Sequence, residues 1–77
     1  QNEKGGMALL EAWTGRAVGK MHTNRISFEE VAAEMGVTRA YISMILNGRR
    51  KPPDARKRVE GAIDAIIERR AEDKEDA

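Results

Sequence analysis

The chain has 77 residues, 14 basic and 13 acidic side chains, no cysteine, and one residue each of Trp, Tyr and Phe. That length suits a single small domain. The missing cysteines exclude disulfides and thiolate metal sites, and so few aromatics speak against a carbohydrate site or a base-stacking sheet. No apolar run approaches the roughly 20 residues of a membrane helix, and the start lacks the pattern of a secretory leader. A soluble, cytoplasmic protein is expected.

The net charge of +1 hides an uneven distribution. The last seven residues carry a net −3 and the other 70 a net +4. Between Arg39 and Arg58 stand seven bases (Arg39, Arg49, Arg50, Lys51, Arg56, Lys57, Arg58) against one acid, Asp54. Such a concentration is the footprint of phosphate binding, although a merely solvated basic face has the same composition.

In chain order, residues 1–6 are polar and unpatterned and read as a flexible arm or a remnant ahead of Met7, which could be a true start. A first helix is expected from about Ala8 to His22. Leu10, Trp13, Ala17 and Met21 recur at helical spacing, with Leu9 and Val18 widening the stripe. Gly15 and Gly19 cost this helix about 1 kcal/mol each relative to Ala, so packing must hold it. Trp13 is its expected core anchor, and Thr23, Asn24 and Arg25 read as a loop.

The second helix has a sharper start. Ser27 is an N-cap, Glu30 three residues on completes a capping box, and Ile26 with Val31 occupies the staple positions. Val31, Ala32 and Met35 form its apolar stripe, and Gly36 stops it as a left-handed cap. The third helix repeats the device: Thr38 caps, Val37 and Ile42 are placed as the staple, and Ile42, Ile45 and Leu46 share a face until Asn47-Gly48. Two capped helices joined this tightly make a helix-turn-helix.

A stiff basic loop comes next, Arg49-Arg50-Lys51-Pro52-Pro53, whose prolines bar helix. Asp54 then caps a fourth helix to about Arg70, with Val59, Ile63, Ile66 and Ile67 on one side. Gly61 is expected to permit a close helix contact. Residues 7–70 form the domain, and the acidic stretch 71–77 reads as frayed or disordered.

The run from Ser27 through Thr38 to Asn47-Gly48 resembles the helix-turn-helix of the phage Cro and repressor (XRE-like) family. Its hallmarks are a small residue in the first helix, a turn Gly four residues later, an apolar residue six after that, and a closing Asn-Gly. Ala32, Gly36, Ile42 and Asn47-Gly48 fill those places. The resemblance implies an all-α, compact four- to five-helix lambda-repressor-like domain with a central helix-turn-helix. The residue types also have physical reasons. Ala32 must be small where the helices cross, Gly36 must reach positive φ at a cost of about 1–2 kcal/mol to other residues, and a polar group at Ile42 would be buried unpaired.

With Ile42, Ile45 and Leu46 turned inward, Ala40 and Met44 point outward, flanked by Ser43 and Asn47. Arg39 lies at the exposed start of the helix. In the resembled repressors the positions of Arg39, Ala40 and Met44 commonly touch bases. Arg39 could grip guanine O6 and N7, and Ala40 and Met44 offer apolar contact to a thymine methyl. Ser43 joins the base-facing set. Thr38, Tyr41, Asn47, Arg49, Arg50 and Lys51 are the expected phosphate contacts, which orient without reading sequence. The family usually has Gln at the place of Phe28, where it bonds a phosphate and braces the first base-reading residue. Phe28 is expected to do neither, and to pack against Tyr41 or the first helix.

The reading is therefore sequence-specific binding of double-stranded DNA by a small phage- or prophage-type repressor, as a homodimer on a two-fold operator. The isoleucines Ile63, Ile66 and Ile67 are its candidate dimer contact. Two other readings fit the same fold: a protein-interaction module (an antitoxin or phage accessory protein), or a non-specific architectural DNA binder. Catalysis is not expected, because Ser27, Thr38 and Ser43 serve as caps or lie on the groove face. The lone His22 reads as a surface helix-end residue without partners for zinc, and Gly5-Gly6 lacks the residues of a phosphate loop. No cofactor, metal or small-molecule ligand is expected.

Overall fold

Extended main chain at Glu11 (φ −86°, ψ 150°) marks the start of the first helix, α1, which runs over Ala12–Thr23. The computed structural model describes residues 11–76, with α2 at Phe28–Met35, α3 at Arg39–Leu46 and α4 at Ala55–Asp76. Helix was expected from Ala8, but the extended Glu11 breaks it there. Ala8, Leu9, Leu10 and the 1–6 arm lie outside the described residues. Glu11 acts through its oxygens: its carbonyl accepts from the Thr14 hydroxyl at 2.7 Å, and its Oε1 accepts from Trp13 Nε1 at 2.7 Å. Thr14 and the indole are thereby buried with their polar atoms satisfied.

Trp13, Ala17 and Met21 form the buried face of α1, as their spacing predicts. Val18 does not join them and stays 39% exposed, because one residue past Ala17 is a turn of about 100° around the axis. Asn24 ends the helix, its Nδ2 donating to the Lys20 carbonyl at 2.8 Å. Arg25 then takes a left-handed conformation, φ 55°, without being glycine.

The capping box of α2 forms in full. Ser27 Oγ accepts from the Glu30 N–H at 3.1 Å, and Glu30 Oε1 accepts from the Ser27 N–H at 2.7 Å. Ile26 and Val31, the staple pair, are both buried. Gly36 stops the helix at φ 73°, ψ 32°, and the Val37 N–H closes back on the Ala32 carbonyl at 3.0 Å. Thr38 then starts α3, its Oγ1 accepting from the Tyr41 N–H at 3.1 Å.

α2 packs on α3 and α4, and α1 packs on α4 and more lightly on α3. One core unites Trp13, Met21, Val31, Ile42, Ile45, Val59, Ile63 and Ile66, with Ile67 packed at its margin. Ile63 and Ile66 of α4 are thus taken up by the domain's own core. The expectation that the α4 isoleucines form a dimer contact is corrected for Ile63 (1% exposed) and Ile66 (3%), which the core buries, while Ile67 stays half-buried at its margin.

Gly61 is also corrected. It lies on the exposed side of α4, and a Cβ built there meets no atom within 4 Å, so no close helix contact requires it. Gly61→Ala should therefore raise stability by about 0.5–1 kcal/mol through backbone entropy. A lower melting temperature for this variant would show that the site is occupied.

The acidic stretch is the third correction: residues 71–76 continue α4 as helix. The reason lies one turn earlier. Arg70 donates through Nη1 to the Asn24 carbonyl (2.6 Å) and through Nη2 to the Arg25 carbonyl (3.3 Å), and it pairs with Glu30. Arg69 Nη2 donates to Glu34 Oε1 at 2.8 Å. With α4 pinned to α2 at two consecutive residues, extending it needs no new nucleus. Arg69 and Asp73, four apart, attract each other as well.

The same clamp has a pH signature. The Ser27 N–H, and then Arg70, hold the Glu30 carboxyl below its ordinary value of 4.5. A depressed folded-state pKa stabilises the fold above the unfolded value, and that contribution is lost as pH falls through the folded one. Wild type should therefore lose stability relative to Glu30→Gln below about pH 4.5. Parallel curves for the two proteins from pH 7 to pH 3 would refute this.

Candidate nucleic-acid interface

α3 has eight residues and turns Ile42, Ile45 and Leu46 into the core. That orientation fixes the opposite side. Arg39 and Ala40 are exposed at its start, and Ser43 and Met44 are half-buried one turn on. The four expected base-facing residues therefore share one strip about 12 Å long at most, which matches the width of a major groove.

At the far end the chain turns sharply. Asn47 Oδ1 accepts from the Arg49 N–H at 3.2 Å, and the Met44 carbonyl accepts from the N–H groups of Arg49 (2.8 Å) and Arg50 (3.1 Å). Gly48 permits the turn with φ 83°. These bonds bring exposed Arg49, Arg50 and Lys51 beside the end of α3. Arg50 stacks over the Tyr41 ring, its Cζ 5.6 Å from the centroid. Tyr41 itself packs partly on the core. Of the six expected phosphate contacts, five are exposed and Tyr41 is half-buried.

The seven bases of the 39–58 stretch separate into groups that composition cannot distinguish. Arg56 pairs with Glu60 at 3.2 Å, Arg39 pairs with Glu29 at 3.0 Å, and Arg58 reaches the Met35 carbonyl at 3.5 Å. Among the described residues no carboxylate pairs with Arg49, Arg50 or Lys51. Uncompensated positive charge is thus densest in the loop that abuts α3.

Phe28 departs from the expectation that it braces nothing. Its ring is half-buried against the core, and the Arg39 guanidinium lies over it, Cζ 5.6 Å from the centroid. The side chain cannot hydrogen-bond a phosphate, but its ring lies against the guanidinium of the first residue of α3. A Phe and an Arg at the starts of adjacent helices are the sequence signal that could have found this contact.

Two short helices joined by a left-handed glycine, with a mixed outward face of Arg39, Ala40, Ser43 and Met44 on the second and a basic loop after it, define a helix-turn-helix unit. A family model described as helix-turn-helix matches residues 23–56, from the end of α1 to the start of α4. Over those residues the chain is similar to helix-turn-helix proteins. No curated protein and no solved structure matches it. Among the described residues, no helix is long and apolar enough to cross a membrane.

Proposed function

We propose that the protein is a small transcriptional regulator, a phage- or prophage-type repressor acting in the cytoplasm, that inserts α3 into the major groove of duplex DNA. Arg39, Ala40, Ser43 and Met44 contact base edges. Thr38, Tyr41, Asn47, Arg49, Arg50 and Lys51 fix phosphates and set the register. The observation that carries this reading is the continuity of the outward strip of α3 with the Arg49-Arg50-Lys51 loop, which pairs with no carboxylate among the described residues.

Two copies occupy a two-fold operator with half-sites about one helical turn apart. Ile63 and Ile66 are buried in the core, and in this reading the operator brings the two copies together. The test is selection of random duplexes by the purified protein, followed by titration of the selected site across salt concentrations. A recurrent motif with steep salt dependence supports the reading. Salt-sensitive binding without preference would make the protein architectural, and no binding at low salt would make it a protein dock.

A further inference from the structure

We propose that Phe28 and Glu29 are positioning residues that aim Arg39 at a guanine. The inference rests on the groove-reading role of α3. Arg39 opens α3, while Phe28 and Glu29 open α2, and the tight turn sets these two helix starts side by side. An exposed arginine ordinarily samples many rotamers. This one is held on two of its sides.

The Phe28 ring lies beneath the guanidinium, 5.6 Å from Cζ to centroid, within the reach of a cation–π contact. Because Phe28 packs against the core, the ring offers a fixed plane. Glu29 Oε2 lies 3.0 Å from Arg39 Nε and takes up the inner edge. Among the described residues nothing bonds Nη1 or Nη2. The free edge is therefore the end-on fork, two parallel N–H donors. Guanine presents two adjacent acceptors, O6 and N7, to such a fork, whereas adenine sets its N6 donor beside N7. A fork of donors held in one plane accepts the first and is repelled by half of the second.

Glu29 has a second effect of opposite sign. Its negative charge sits at the interface, where it repels every phosphate regardless of sequence. Removing it should loosen the aim of Arg39 yet strengthen sequence-blind binding. A residue with only a structural role would not move those two quantities apart.

The experiment measures affinities of the full chain for the selected duplex, for its variants at each base pair, and for a random duplex. The proteins are wild type, Arg39→Ala, Phe28→Leu, Phe28→Trp and Glu29→Gln, each checked for folding by its melting curve. Arg39→Ala should abolish preference for a G·C pair at one position. Phe28→Leu should lower that preference by about two- to fivefold, the scale of an exposed cation–π contact, while Phe28→Trp retains it. Glu29→Gln should lower it too, while binding the random duplex more tightly. In DNA-free protein, the Arg39 Nε–H resonance should shift on Phe28→Leu as the ring current is lost. If Arg39→Ala changes no base preference, the groove-reading role falls and this inference with it. If Arg39→Ala does but Phe28→Leu and Glu29→Gln keep the wild-type G·C preference, the positioning role alone is overturned.

Discussion

Ile42→Ala should lower the unfolding free energy by about 2–5 kcal/mol, the range for truncating a buried isoleucine whose surroundings cannot collapse. Ile42 is fully buried, 0% exposed, and it links the turn to both α2 and the core. A domain of 77 residues has a total stability of about 4–12 kcal/mol. The substitution therefore removes a large fraction of what holds the fold and brings the weaker end of that range close to unfolding. Trp13, the only tryptophan, is buried in the same core and reports the transition by fluorescence during urea denaturation. A loss below about 1 kcal/mol would mean that α3 is not held by this side chain.

Arg39→Ala should erase discrimination at one base pair, by about 1–3 kcal/mol, and leave the order of preference elsewhere in the site intact. Arg50→Ala should act differently. Arg50 stands in the basic loop, stacked on Tyr41, and its loss should weaken all duplexes alike while reducing the salt slope by about one. The contrast is the informative result, since base contacts specify and phosphate contacts only position. Titrations of both variants against the selected site and its single-pair substitutions measure it. Uniform weakening by Arg39→Ala would demote that residue to a phosphate contact.

The helix-turn-helix was legible because its determinants are local. Ser27 with Glu30, Gly36, and Thr38 with Tyr41 act within four residues of one another, and each forms the bond its type demands. Periodicity likewise placed Ile42, Ile45 and Leu46 inward, and with them the outward strip of α3. What escaped the sequence is long-range. The Arg70 clamp joins residues 40 to 46 positions apart, and no pattern of neighbours marks that arginine among the others of α4. The composition of residues 71–76 suggests disorder, yet tertiary anchoring at Arg69 and Arg70 overrides it. Arg25 takes a left-handed conformation that glycine or asparagine would have signalled. The sharing out of the basic residues also depended on partners outside their own segment, such as Glu29 for Arg39 and the Met35 carbonyl for Arg58.

The turn after α3 bears on the thermodynamics of association. Its main chain is tied by three hydrogen bonds converging on Met44 and Asn47, and Pro52 and Pro53 stiffen the segment leading into α4. The loop that carries Arg49, Arg50 and Lys51 thus gives up its backbone freedom when the chain folds, and not when a duplex arrives. Ordering a flexible basic arm at the moment of contact would subtract conformational entropy from every complex formed. In the proposed complex only the side chains would remain to be ordered, leaving more of the favourable free energy of counterion release to hold protein and duplex together.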